Sequence, residues 1–416
     1  MLGSLSAAVR VKDLRSKLIY TALLLAVFRI GAYIPVPGVN AAKLVETFGE
    51  GGLFSLLDMF AGGALKKFTV FAMGVNPYIT ASIIIQLLTI VIPSLERLAK
   101  EGIDGRKKIA QYTRYGTVVL GVIQAFGITM AIRGAVEVPG ALPIALIVVT
   151  LTAGTVFLMW LGEQISEHGI GNGISLIIFA GIVARIPAYI HMTALTIGKG
   201  GINPFNVILF LILAVASIVG VIWIQEGQRR IPVQYAKRVV GRRMYGGQTT
   251  HIPLRVNQAG VIPVIFASSV LAFPMTIAQF VPRFDFLRNW VASGSLSYII
   301  AYAVLVIFFT YFYTAVTFNV VEVANNMKKY GGFIPGLRPG RPTVEYLDRV
   351  LTRITLAGAI FLAIVAVLPN IMTALTKIQS IYFGGTALLI VVGVALDTMK
   401  QIEAQLLMRQ YEGFIK

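Results

Sequence analysis

The chain has 416 residues, of which 56% are hydrophobic and only 13% charged, a balance that excludes a soluble globular protein and implies many membrane crossings. Its 36 Lys and Arg against 18 Asp and Glu leave a net charge of +18, which in a membrane protein speaks first of orientation and only then of an acidic partner. The absence of Cys excludes disulfides and thiolate-bound metal, and His168, His191 and His251 are too scattered for a metal site, so no cofactor is expected.

In chain order, the N-terminal tail carries Arg10, Lys12, Arg15 and Lys17, and no small-residue cleavage site follows the first apolar run, which reads as a retained span. Hydropathy marks ten spans, at residues 18–35, 75–93, 112–132, 143–161, 173–190, 205–225, 260–281, 296–318, 354–370 and 381–396. The stretch before the second span differs. Leu53, Leu56, Leu57 and Phe60 recur at helical spacing, Asp58 and Lys66-Lys67 interrupt the apolar run, and Gly62-Gly63 end the helix. That predicts one short helix, too short to cross, which survives at membrane depth only inside protein or beside a water-filled cavity. In the second span Asn76, Thr80 and Gln86 share a helix face with Ile79 and Ile83. Residues 162–172 hold Glu163 and Glu167 but no Lys or Arg and read as a short, helix-capped turn. Their GIGNG run, 169–173, reads as a flexible approach to the fifth span.

Two long loops are basic. Residues 226–257 interleave charges with Ile231, Val233, Tyr235, Val239, Val240, Met244 and Tyr245, a hairpin pattern with Gly241-Arg242-Arg243 as a basic turn at its tip. Residues 320–352 contain GGFIPGLRPGRP, which predicts a rigid, turn-rich projection holding Arg338 and Arg341. Exposed arginines on ordered loops suit a polyanion or an acidic protein, such as a ribosome surface or a cytosolic motor.

With both termini in the cytoplasm, 26 of the 36 Lys and Arg fall on the cytoplasmic side, counting Arg114 at the cytoplasmic end of the third span, and 8 on the other side, the positive-inside distribution. The remaining two, Arg29 and Arg185, lie towards the outer ends of their spans, from where long side chains can snorkel to headgroups. Ten spans divide into an N-terminal half, 1–191, and a C-terminal half, 204–416, about a Gly- and Thr-rich outer linker, 192–203. Five is odd, so the halves have opposite orientations and a pathway is expected between them. No span contains Asp or Glu, which counts against ion-coupled transport, although a five-plus-five secondary transporter remains the alternative. GxxxxGK[ST], HExxH and GxSxG are absent, so an enzyme is not expected and any driving energy is external.

IPVPGVN after span one, NPYITASIIIQLLT in span two, GIGNGIS, GRRMYGGQTTHIPLRVNQAGVIPVIFASS, GGFIPGLRPG and YFGGTALLIVVGV together resemble the SecY family of protein-conducting channels over nearly the whole chain. The resemblance implies an all-α membrane protein of ten helices in two inverted, pseudo-symmetric halves around an hourglass pore. It places a ring of apolar side chains at Ile79, Ile83, Ile174, Ile178, Ile265 and Ile390 and a plug at residues 53–66, with Leu53, Leu56, Leu57, Phe60 and the Gly62-Gly63 hinge. It implies a lateral gate to lipid with Gln86 and Asn257 as its polar groups, and docking of the ribosome or the SecA motor at Arg242, Arg243 and Arg338, leaving Arg341 without an assigned role. The implied partners are the small subunits SecE and SecG, SecA, the ribosome, client chains and the bilayer, in the bacterial cytoplasmic membrane. The implied function is passage of unfolded polypeptides across it and lateral release of hydrophobic segments.

Overall fold

In the computed structural model, which describes residues 11–40, 62–65, 67–138, 140–198, 203–235, 238–240, 243–245, 249–280, 295–376 and 385–415, the described part of each of the ten apolar segments is largely helical, the fifth being divided between two helices. The chain runs α1 (Lys12–Gly31), α2 (Asn76–Val91), α3 (Pro93–Lys100), α4 (Ile103–Ala131), α5 (Ala141–His168), α6 (Gly173–Val183), α7 (Ile186–Gly198) and α8 (Pro204–Glu226). Strands β1 (Gln228–Tyr235), β2 (Arg238–Val240), β3 (Arg243–Tyr245) and β4 (Thr249–Arg255) follow. Then come α9 (Ile262–Phe280), α10 (Leu296–Thr317), α11 (Val320–Lys329), β5 (Gly332–Phe333), α12 (Arg341–Thr376) and α13 (Gly385–Ile415). Among the described residues, six helices are by themselves long and apolar enough to cross a membrane, or seven if α2 and α3 count as one bent span.

Proline sets two of the breaks. Ile92 takes an extended conformation before Pro93, and α3 leaves α2 at 101°. Pro187 has no N–H for the Val183 carbonyl, so the fifth span divides into α6 and α7 around Ala184 and Arg185. Elsewhere the helices outrun the spans expected of them. α4 starts at Ile103 rather than at 112, α5 continues to His168, and α12 begins at Arg341 rather than at 354. Hydropathy reports only the part that lipid can hold, whereas a helix has no reason to stop where its polar side chains meet water.

Two compact units compose the chain: Met1–Ile202 with Ser269–Tyr298 and Ile390–Lys416, and Asn203–Ser268 with Ile299–Leu389. In the first, α4 turns a buried stripe of Thr113, Thr117, Gly121, Ala125 and Thr129 inward, each four residues from the next. The opposite face exposes Val119, Ile123 and Phe126. Such an inverted pattern fits lipid outside and close helix contact inside, where small residues let backbones approach. The threonine hydroxyls are satisfied locally, Thr117 Oγ1 donating to the Thr113 carbonyl at 2.7 Å and Thr129 Oγ1 to that of Ala125 at 2.7 Å. Gly154 on α5 is equally constrained, since a Cβ there would stand 2.0 Å from the Val70 carbonyl oxygen. Leu65, Phe68, Ala72 and Met73 thereby anchor the chain ahead of α2 among Ala125, Ile132, Ile147 and Leu151.

In the second unit the basic loop forms a hairpin, as its alternation predicts. β1 lies between β4 and β5, antiparallel to both, and buries Ile231 and Val233 while its neighbours face water. β2 and β3 pair beyond it with Val240 opposite Arg243, so Arg243 begins a strand instead of sitting in the turn. The sheet packs Ile231, Val233 and Leu254 on Val320, Ala324 and Met327 of α11 and on Leu347, Val350 and Leu351 of α12. The second basic loop is therefore half helix: Asn319 caps α11 by accepting from the Glu322 N–H at 3.1 Å, and the turn-rich part shrinks to the few residues before Arg341.

Candidate functional site

The expected ring residues all sit on apolar helices. Ile79 and Ile83 share one face of α2 and are buried, as are Ile178 on α6, Ile265 on α9 and Ile390 on α13. Ile174 is half-buried, and its Cδ1 fills a notch on α5 where a Cβ at Gly162 would stand 2.4 Å away. Five of the six belong to the first unit, and Ile265 belongs to the second. The isoleucines bring no charge and no hydrogen-bonding side-chain atom, so the surface they offer can exclude water but perform no chemistry.

Of the expected plug, Leu53, Leu56, Leu57 and Phe60 lie outside the described residues. Its hinge is described. Gly62 and Gly63 have φ of +66° and +90°, conformations that a residue with a Cβ adopts only under strain. A Cβ at Gly62 would also stand 2.8 Å from the Gly181 Cα on α6. The Gly62 carbonyl accepts from Arg29 Nη1 at 3.2 Å, and Arg29 Nη2 donates to the Tyr33 hydroxyl at 2.9 Å. The Arg29 guanidinium and the Lys67 ammonium lie 4.9 Å and 4.1 Å from the centre of the Tyr33 ring. Arg185 places its guanidinium 5.1 Å from the centre of the Tyr189 ring, and its Cδ and Nε lie 4.0 Å from where a Gly63 Cβ would be. Beside the snorkelling expected of both arginines, the structure shows a contact within the protein for each: Arg29 donates to the Gly62 carbonyl and Arg185 packs beside Gly63. Nothing in the sequence links Arg29 with a glycine 33 residues later, so only the three-dimensional arrangement reveals it.

Gln86 is half-buried on α2, and its carbonyl accepts from Thr89 Oγ1 at 2.7 Å. Asn257 is 5% exposed in the turn between β4 and α9. Its Nδ2 donates to the Gly260 carbonyl at 2.9 Å, while its buried Oδ1 has no hydrogen-bond partner among the described residues. A buried acceptor without a donor carries a desolvation cost, so a donor that reached it in another state of the protein would gain more than an ordinary surface hydrogen bond. The two expected gate residues belong to different units.

On the basic side, Arg242 lies outside the described residues and Arg243 opens β3. Arg338 is exposed on a fixed turn, its carbonyl accepting from Oγ1 of buried Thr343 at 2.9 Å. Arg341, the first residue of α12, pairs with Glu345 at 3.1 Å, with both side chains largely in water, where such a pair contributes little. Arg114 on α4 donates to Glu163 on α5 at 2.8 Å, which gives the acidic end of α5 a partner that the local sequence lacks.

These helices, with their small-residue contacts and exposed apolar outer faces, define a multi-span membrane protein. "The structure of a protein conducting channel" superposes with a TM-score of 0.67 at 20% identity, covering 93% of this chain and 91% of the other. Sec61 in the canine ribosome–channel complex from the endoplasmic reticulum gives 0.65 at 19%, over 93% and 91%. The SecY family model matches residues 69–399. The protein translocase subunit SecY of Halalkalibacterium halodurans is 51% identical, with 100% of both chains covered. That of Thermotoga maritima is 48% identical over 98% of this chain and 96% of its own. The chain belongs to the SecY family.

Proposed function

We propose that the chain is the pore-forming subunit of a bacterial protein translocase, a passive gated channel that passes unfolded polypeptide across the cytoplasmic membrane and releases hydrophobic segments sideways into lipid. The observation that carries this reading is the placement of Ile79, Ile83, Ile178 and Ile390 as buried apolar side chains on helices whose expected spans hold no carboxylate. A waist of that kind closes by dewetting and yields to any passing sequence, because isoleucine packs around a chain without binding a particular one. The two five-span halves, 1–191 and 204–416, flank the path in inverted orientation, with the plug at 53–66 above the waist. Gln86 and Asn257 line the lateral exit. Energy comes from outside the chain, from the SecA motor or from ribosomal synthesis, both docking on the basic loops, and SecE and SecG complete the membrane complex. The ribosome-bound state of the canine Sec61 structure supports the docking side of this reading.

The test is to arrest a secretory precursor in the reconstituted complex with photoreactive side chains installed in the channel. Probes replacing Ile83, Ile178 and Ile390 cross-link to the precursor, and a probe at exposed Ile123 on α4 does not. Equal cross-linking from all four positions removes the pore assignment.

Orientation has a separate test, because a chain without Cys makes single-cysteine labelling clean. The charge distribution puts both termini in the cytoplasm. Tyr330→Cys, exposed after α11, reacts with a membrane-impermeant thiol reagent only from the cytoplasmic face, and Val138→Cys, exposed before α5, only from the outer face. Reaction of Tyr330→Cys in sealed cells reverses the proposed topology.

A further inference from the structure

The GIGNG run reads as a flexible linker in sequence, but its backbone is held by three different helices. The Ile170 N–H donates to Thr21 Oγ1 of α1 at 3.1 Å, and the Gly171 N–H donates to Gln401 Oε1 of α13 at 2.9 Å. The Gly173 N–H donates to Ser166 Oγ of α5 at 2.8 Å. Each hydroxyl is fixed in orientation by its own donation, Thr21 Oγ1 to the Lys17 carbonyl at 2.9 Å and Ser166 Oγ to that of Gly162 at 2.9 Å, so a lone pair stays aimed at the loop. Asn172 then caps α6 by accepting from the Ser175 N–H at 3.1 Å. Ile170 is 2% exposed, seated between Leu14 of α1 and Ile402 of α13.

The glycines serve close approach. A Cβ at Gly171, where φ is +89°, would stand 2.8 Å from Leu176 Cδ1 and 3.2 Å from Thr398 Oγ1. A Cβ at Gly173 would stand 1.9 Å from the Gly162 carbonyl oxygen. Three donated bonds, one apolar anchor and no room for side chains describe a joint whose partners cannot slide independently.

We propose that the loop of residues 169–173 is a clasp fixing the start of α6 to α1 and α13, and that Thr21 and Gln401 are positioning residues for the channel's seal. The second half of this statement rests on the reading of Ile178 and Ile390 as ring residues. Ile178 lies five residues beyond Gly173, about 7.5 Å along α6, so a pivot at the clasp displaces it directly. Ile390 rides on the same helix as Gln401, and one hydrogen bond therefore couples the helices that carry both isoleucines.

The experiment uses the reconstituted complex with Thr21→Val and Gln401→Leu, which keep volume but lose the acceptor, and with Thr21→Ser and Gln401→Glu, which retain one. Hydrogen exchange is expected to quicken about tenfold at the Ile170 amide in Thr21→Val, since a lost buried acceptor shifts opening by roughly that factor, and by a smaller factor at the Gly171 amide in Gln401→Leu, whose acceptor is partly in water, and to stay parental in the second pair. Idle ion conductance per inserted channel is expected to rise in the same two variants and to return to the parental level in the conservative ones. Unchanged exchange overturns the clasp. Faster exchange without a leak, in a preparation where Ile83→Ser combined with Ile178→Ser does leak, overturns the positioning role. Silence of the serine pair itself overturns the ring reading and with it the positioning role, while exchange still decides the clasp.

Discussion

Serine at both Ile83 and Ile178 makes the idle channel leak. A pore wide enough for an extended polypeptide would, if filled with water, collapse the membrane potential, so the resting waist must stay dry. A narrow apolar neck stays dry because water inside it forfeits hydrogen bonds. Each serine hydroxyl returns about 1 kcal/mol of hydrogen bonding to water in the neck, and two shift the wet-to-dry balance by about 2 kcal/mol, or roughly 30-fold. Conductance of substrate-free channels in a planar bilayer is expected to rise by that order. Deleting residues 57–61, within the proposed plug, is expected to weaken a second barrier, so that the combined variant leaks more than either alone. Precursor transport persists in the serine variant, because the ring supplies no chemistry. A serine pair that conducts no more than the parent would show that these isoleucines do not form the seal.

The positions of the helices were legible in the sequence because hydropathy and period report burial in lipid directly. Their lengths were not, since α4, α5 and α12 continue as polar helices that hydropathy does not register. The hairpin at β1 and β4 was legible from alternation, whereas β5 was not: two residues, one of them glycine, carry no pattern. At the candidate site, the i, i+4 pairs Ile79/Ile83 and Ile174/Ile178 follow from helical spacing alone. What sequence could not supply was partnership across the chain. Ile170 meets Thr21 across 149 residues and Gly171 meets Gln401 across 230, so a clasped loop was indistinguishable from a loose one. The contacts of Arg29 with Gly62 and of Arg185 with Gly63 were illegible for the same reason. A long cationic side chain near a span end has two equally good destinations, headgroup or protein, and only the neighbouring backbone decides between them.

Reversing the charge of Arg242, Arg243 and Arg338 together is expected to disable docking while leaving the channel inserted. The turn that bears exposed Arg338 is held by buried Thr343, so that charge is displayed on ordered backbone and loses little freedom when a partner arrives, and the backbone of Arg243 is tied into the β2–β3 pair. Each exposed contact contributes up to about 1 kcal/mol, so the triple Arg→Glu variant loses about 3 kcal/mol, roughly 100-fold in affinity for the motor or ribosome at low salt. Salt supplies the discriminating readout. Raising ionic strength screens the parent's attraction and leaves the variant almost unaffected, so the two binding curves converge as salt increases. A basic loop that serves only to orient the chain predicts something different: altered topology, read by Tyr330→Cys labelling, with docking by correctly inserted molecules intact. Arg341→Glu is the internal control, because its guanidinium is already engaged with Glu345 at 3.1 Å and lies outside the proposed docking set. Parental affinity in a correctly inserted triple variant would remove the docking role and leave these arginines as orientation signals alone.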